Sequence, residues 1–92
     1  MDGIPAKVSV VNSIIANGSY IEGTVRNCIV GRKVFIGKDS VLENCVILQN
    51  GMIESGVKMN RVITDKGVVI KKNEELKGLE DNPFTIPKKR MF

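Results

Sequence analysis

Histidine and tryptophan are missing altogether, and the 92 residues include only one tyrosine and three phenylalanines. Without histidine the chain lacks the side chain most often used as a general base near neutral pH and as a neutral metal ligand. With so few rings there is no stacking platform of the kind that single-strand nucleic-acid binders use. The net charge of +4 comes from cations scattered along the chain, so nucleic acid is not an expected partner. No run of about 18 apolar residues is present, which excludes a membrane-spanning helix, and the first residues do not read as a signal peptide. Together these absences point to the cytoplasm. Cys28 and Cys45 are too few for a disulfide scaffold. They stand in matching pairs, Asn27-Cys28 and Asn44-Cys45, and are expected to be reduced, buried core filler.

What the sequence has is a repeat. Four segments align: Asn12-Ser-Ile-Ile15, Asn27-Cys-Ile-Val30, Asn44-Cys-Val-Ile47 and Asn60-Arg-Val-Ile63, at spacings of 15, 17 and 16 residues. A second series is Gly18-Ser-Tyr-Ile21, Lys33-Val-Phe-Ile36, Gly51-Met-Ile53 and Gly67-Val-Val-Ile70. A third is Gly23-Thr-Val25, Asp39-Ser-Val41 and Ser55-Gly-Val57. Each period of about 16 residues thus carries three short apolar strokes broken by glycine or a polar residue. An amphipathic helix would need apolar residues at i, i+3, i+4 and i+7, and the frequent Gly and Asn disfavour a helix interior. Antiparallel hairpins would need longer alternating strands. Three strokes in register fit a chain winding through three flat faces per coil, with equivalent strokes pairing as parallel strands about 4.8 Å apart. Asn and Gly would take corners that require positive φ.

The fold class expected is therefore all-β, a single-stranded parallel β-helix of about four coils. Residues 1–7 read as a lead-in, 8–72 as the β-helix and 73–92 as a C-terminal capping tail. Ile21, Ile36, Ile53 and Ile70 are the expected structural core. Solenoids need covered ends, and the front of the first coil would present open strand edges, so another domain or subunit is expected to cover it.

The unit Ile36-Gly37-Lys38-Asp39-Ser40-Val41 resembles the hexapeptide repeat of left-handed β-helices, and the left-handed winding is implied by that resemblance. Asn12-Ser-Ile-Ile-Ala-Asn-Gly-Ser-Tyr-Ile-Glu-Gly-Thr-Val25 resembles the opening of the C-terminal β-helix domain of bacterial glucose-1-phosphate adenylyltransferases (ADP-glucose pyrophosphorylases). Leu76-Lys-Gly-Leu-Glu-Asp-Asn-Pro-Phe-Thr-Ile-Pro87 is similar to the tail of their GlgD-type subunit. In that family an N-terminal nucleotidyltransferase domain makes ADP-glucose from ATP and glucose 1-phosphate with magnesium, and the β-helix serves assembly and allosteric control. The resemblance implies a non-catalytic assembly and regulatory domain of glycogen biosynthesis. Its partners would be its own N-terminal nucleotidyltransferase domain and the catalytic adenylyltransferase subunit, in a homo- or hetero-oligomer. This chain lacks that domain and would be a fragment or truncated product.

No cofactor, metal or catalytic residue is expected in the chain itself. Glu22, Asp39, Glu43, Glu54 and Asp65 fall at corners of different coils without paired spacing, and the cysteines have no histidine partner for activation. Gly31-Arg-Lys-Val-Phe-Ile-Gly37 has its glycines six apart and fails the phosphate-loop pattern. A hexapeptide transferase, which in that family uses histidine, and a stand-alone oligomerisation scaffold are the alternatives. The one small-molecule candidate is an anion or effector site at Arg26, Arg32 and Lys33, since paired guanidinium donors match phosphate oxygens. Lys71-Lys72 and Lys88-Lys89-Arg90 add cations later.

Overall fold

A computed structural model describes residues 9–87. The lead-in, residues 1–7, and Lys88-Lys89-Arg90 lie outside them. The chain winds through three strands per coil. Coil one holds β1 (Ser9–Val11), β2 (Ile14–Ile15) and β3 (Tyr20–Ile21). Coil two holds β4 (Thr24–Arg26), β5 (Ile29–Val30) and β6 (Phe35–Ile36), and coil three β7 (Val41–Glu43), β8 (Val46–Ile47) and β9 (Met52–Ile53). Coil four is β10 (Lys58–Asn60), β11 (Val62–Thr64) and β12 (Val69–Ile70), followed by β13 (Glu75–Lys77) and β14 (Phe84–Ile86).

Equivalent strands pair in parallel as three sheets. Sheet A runs β1-β4-β7-β10-β13, sheet B β2-β5-β8-β11-β14 and sheet C β3-β6-β9-β12. This is the expected parallel β-helix, and no helix among the described residues is long and apolar enough to cross a membrane. Residues 73–87 supply the fifth strands of sheets A and B. Strands of two or three residues hold because those inside each sheet are paired on both sides and their branched side chains stack on their equivalents.

Three inward columns, joined by buried corner residues such as Val34, Val57 and Val68, make the core. Sheet A contributes Val25, Leu42, Met59 and Leu76, and sheet B Val30, Ile47, Thr64 and Ile86. Sheet C contributes Ile21, Ile36, Ile53 and Ile70, of which the last three are fully buried and Ile21, at the end of the column, half-buried.

The register corrects two sequence expectations. Positive φ recurs at Asn12, Asn27, Asn44 and Arg61, not Asn60. Arg26 pairs with Glu43, and Glu43 with Asn60, so Asn60 ends a strand and Arg61 turns the corner. The spacings are therefore 15, 17 and 17 residues, as the corner bonds Cys28 to Ser13 and Cys45 to Cys28 also show. Likewise Val25 stacks on Leu42 and Met59, and not on Val41 and Val57. Val41 faces outward, and Val57 lies in a corner, where its N–H donates to Ser40 Oγ at 3.2 Å. The shorter first period has a local cause. Ile21 and Thr24 are separated by Glu22-Gly23 alone, whereas Ile36 and Val41 are separated by four residues with Asp39 at φ 63°.

Corner side chains replace the ladder bonds that bends interrupt. Ser13 Oγ accepts the Cys28 N–H at 3.1 Å and Ser19 Oγ the Val34 N–H at 3.1 Å. Thr64 is the exception in the core. It occupies the place of Ile47 in its column, and its buried hydroxyl has no hydrogen-bond partner among the described residues. An unsatisfied buried hydroxyl costs about 1–3 kcal/mol, and Val has nearly the same shape. Thr64→Val is therefore expected to stabilise the fold by about 1 kcal/mol, read as a rise of about 4–8 °C in Tm in a thermal melt.

Candidate functional site

The expected anion-site residues do not converge. Arg26 lies on the outer face of sheet A, where in-register pairing sets it beside Glu43, and its Nη1 binds the Glu43 carboxylate at 2.6 Å. Arg32 and Lys33 lie past strand β5, at the corner between sheets B and C, and with Gln49 and Asn50 they line a recess of about 120 Å³. Lys33 holds φ 58° there. The Arg26–Glu43 pair is solvent-exposed, so Arg26→Ala is expected to cost less than about 1 kcal/mol and progressively less as salt is added. Thermal melts at low and high salt check this.

The carboxylates have local work. Glu22 accepts the Tyr20 hydroxyl at 3.2 Å, Glu54 the Lys72 N–H at 3.0 Å and Asp65 the Lys66 N–H at 2.7 Å. Glu43, expected at a corner, instead stands on strand β7. Among the described residues no group of three or more His, Cys, Asp or Glu is placed to hold a metal. A shallow hollow of about 520 Å³ over β7, β10 and β13 carries both signs of charge, Lys58 and Lys77 against Glu43 and Glu75.

The surface most unlike solvated protein lies on the other two sheets. Outward from sheet B point Ile14, Ile29, Val46 and Ile63, and outward from sheet C Tyr20, Phe35, Met52 and Val69. Ile14 is 68% exposed, Tyr20 56% and Ile29 51%. Tyr20 stacks on Phe35 with ring centroids 5.6 Å apart. Toward the C-terminal end, Leu79 and Pro83 overhang Val46 and Ile63 across an open hollow of about 260 Å³. The first two coils have no such cover among the described residues. The sequence carried this signal in its strokes. In Ile14-Ile15, Ile29-Val30, Val46-Ile47 and Tyr20-Ile21 both neighbours are apolar, and a strand alternates faces, so one of each pair must point out.

Comparison with known proteins agrees with the fold. The profile described as "GlmU-like, C-terminal hexapeptide" matches residues 2–82. The glycogen biosynthesis protein GlgD of Bacillus subtilis (strain 168) is 41% identical over 80 residues, covering 87% of this chain and 23% of that protein. A glucose-1-phosphate adenylyltransferase of Deinococcus radiodurans is 42% identical over 60 residues, 64% of this chain and 14% of that protein. That of Desulfitobacterium hafniense (strain DSM 10664 / DCB-2) is 28% identical over 65 residues, 71% of this chain and 16% of that protein. The chain thus spans less than a quarter of the length of these relatives. No solved structure matches it. The resemblance to the glucose-1-phosphate adenylyltransferases holds in these relatives, and by its profile and its stacked coils the chain belongs to the GlmU-like C-terminal hexapeptide family.

Proposed function

We propose that this chain is the assembly and regulatory β-helix of a glucose-1-phosphate adenylyltransferase-type subunit in glycogen biosynthesis, acting in the cytoplasm and non-catalytic by itself. The observation that carries the reading is the pair of outward apolar ladders on sheets B and C. Contiguous exposed apolar surface on a small domain marks a docking face, and here it is densest on the first two coils, with Ile14, Tyr20 and Ile29. The partners would be the nucleotidyltransferase domain of the same subunit and the catalytic adenylyltransferase subunit. The conversion of ATP and glucose 1-phosphate, and its magnesium, belongs to that domain, and the described residues offer the metal no ligand cluster. Arg32 and Lys33, whose recess opens at a corner, are the cations available to a phosphate-bearing effector.

Two measurements test this. The chain incubated with ATP, glucose 1-phosphate and magnesium should release no pyrophosphate above a blank, and turnover by the chain alone would refute the reading. Mixed with the catalytic subunit, the chain should co-elute in size-exclusion chromatography with light scattering. The double variant Ile14→Asp and Ile29→Asp should lose the complex while keeping its β spectrum, because both side chains point outward. Equal co-elution of both forms, or of neither, counts against the proposal.

A further inference from the structure

The corner between sheets A and B stacks Ser13, Cys28, Cys45 and Val62 in one file, each a single residue beyond its positive-φ neighbour. The two cysteines are free, with 2% and 1% of their surface exposed. Cys45 N–H donates to Cys28 Sγ at 3.4 Å. The Cys28 thiol lies 3.1 Å from the Arg26 carbonyl and 3.4 Å from that of Leu42, and the Cys45 thiol donates to the Glu43 carbonyl at 3.2 Å. Strands β5 and β8, which begin at the residue after each cysteine, pair in register and so lie about 4.8 Å apart, inside the Cα separation of roughly 4.4–6.8 Å over which disulfides close. The pair is also asymmetric. The neighbouring Cys45 side chain, together with the Cys45 N–H that Cys28 Sγ accepts, holds Cys28 below the usual thiol range against the opposing effect of burial. The same contact, with burial, pushes Cys45 up.

We propose that Cys28 and Cys45 form a peroxide-modification site, with Cys28 as nucleophile and Cys45 as resolving thiol, closing a reversible disulfide between coils two and three. The Cys28 thiolate attacks one oxygen of a hydroperoxide, and the O–O bond breaks. The other oxygen leaves with the electron pair and takes up a proton, and Cys28 becomes a sulfenic acid. Cys45 sulfur then displaces the sulfenic hydroxyl, its proton leaving with that group as water. One S–S bond forms, one S–O bond breaks, two thiols lose two electrons, and hydrogen peroxide ends as two waters. Burial favours so small an oxidant over bulky disulfides, because it needs only a brief opening of the corner. In-register side chains point the same way rather than at each other, so the bridge is strained, and strained disulfides are readily reduced.

The folded chain is treated with hydrogen peroxide and read by intact mass and peptide mapping. The expected result is loss of two hydrogens, a linked Cys28–Cys45 peptide, no covalent dimer, and return of both thiols with mild dithiothreitol. Cys45→Ser should stop at one oxygen on Cys28, trapped by dimedone, while Cys28→Ser should slow peroxide consumption by about tenfold or more. Serine already occupies this file at Ser13, where it accepts the next coil's N–H, and an unchanged circular dichroism spectrum checks that each variant folds. Thiols that react only in denaturant, covalent dimers, or oxygen added to both cysteines at equal rates without a bridge would each overturn the proposal.

Discussion

Ile36→Asp is expected to unfold the protein. Ile36 is fully buried in the sheet C column, with Ile21 on one side and Ile53 on the other. Removing its apolar side chain forfeits about 1.5–3 kcal/mol. Leaving an unpaired carboxylate in that column costs several kcal/mol more, or the cost of protonating it. Stability in a chain this small is about 5–14 kcal/mol by the usual per-residue figure. A thin prism belongs near the bottom of that range because its core is one side chain wide on each face. Loss of the far-UV β signal and collapse of amide dispersion in NMR are the expected readouts. Phe35→Ser, one residue away on the outward face, removes a ring that stacks on Tyr20 and stands in register with Met52, and should cost under about 2 kcal/mol and leave the fold intact. If both variants behaved alike, the inward–outward assignment of strand β6 would be wrong.

The second large effect is expected at Gly37. A Cβ built there would stand 2.8 Å from the Ser55 nitrogen and 2.9 Å from the Glu54 carbonyl carbon, both backbone atoms of the next coil. That coil is held in place, since the Gly37 N–H donates to the Ile53 carbonyl at 2.7 Å. Gly37→Ala therefore forces two ladders apart, and the cost should lie near the upper end of overpacking, about 3 kcal/mol. Gly67 needs glycine for a different reason. Nothing lies within 4 Å of its Cβ position, but its φ is +69°, so Gly67→Ala should cost only about 1–2 kcal/mol. Urea melts of the two variants side by side should separate close approach from backbone conformation. Equal, small losses would mean that the coils at Gly37 are spaced more widely than described.

How much of this was legible in the sequence depended on which residues marked the period. The sheet C column was readable because Ile21, Ile36, Ile53 and Ile70 are identical and each follows another apolar residue. The corner between sheets A and B was misread at its last turn because asparagine served as the marker. The physical requirement there is a positive φ, which Asn adopts readily but does not monopolise. Lys33 at 58° and Arg61 at 58° meet it too, and a basic residue gives no hint in sequence that it does. The one-residue slip mattered, since it exchanges the inward and outward members of a strand, and it hid Thr64 in a column of Val and Ile. The separation of Arg26 from Arg32 was equally hidden. Six residues along a regular strand would stay on one sheet, but here two bends intervene and the chain crosses from sheet A to the far side of sheet B.

The proposed docking face follows from the same 17-residue register, because that register decides which apolar residue of each stroke is left outside. The most direct test is the methyl environment of Ile63 in an isotope-edited NOE spectrum. The expected result is contact with the Val46 methyls and none with Ile47, together with broadening by a soluble paramagnetic probe, as befits a partly exposed ladder residue. Contact of Ile63 with Ile47, with protection from the probe, would restore the 16-residue spacing, turn Ile63 inward, and contradict both the stacked coil and the apolar face built from it.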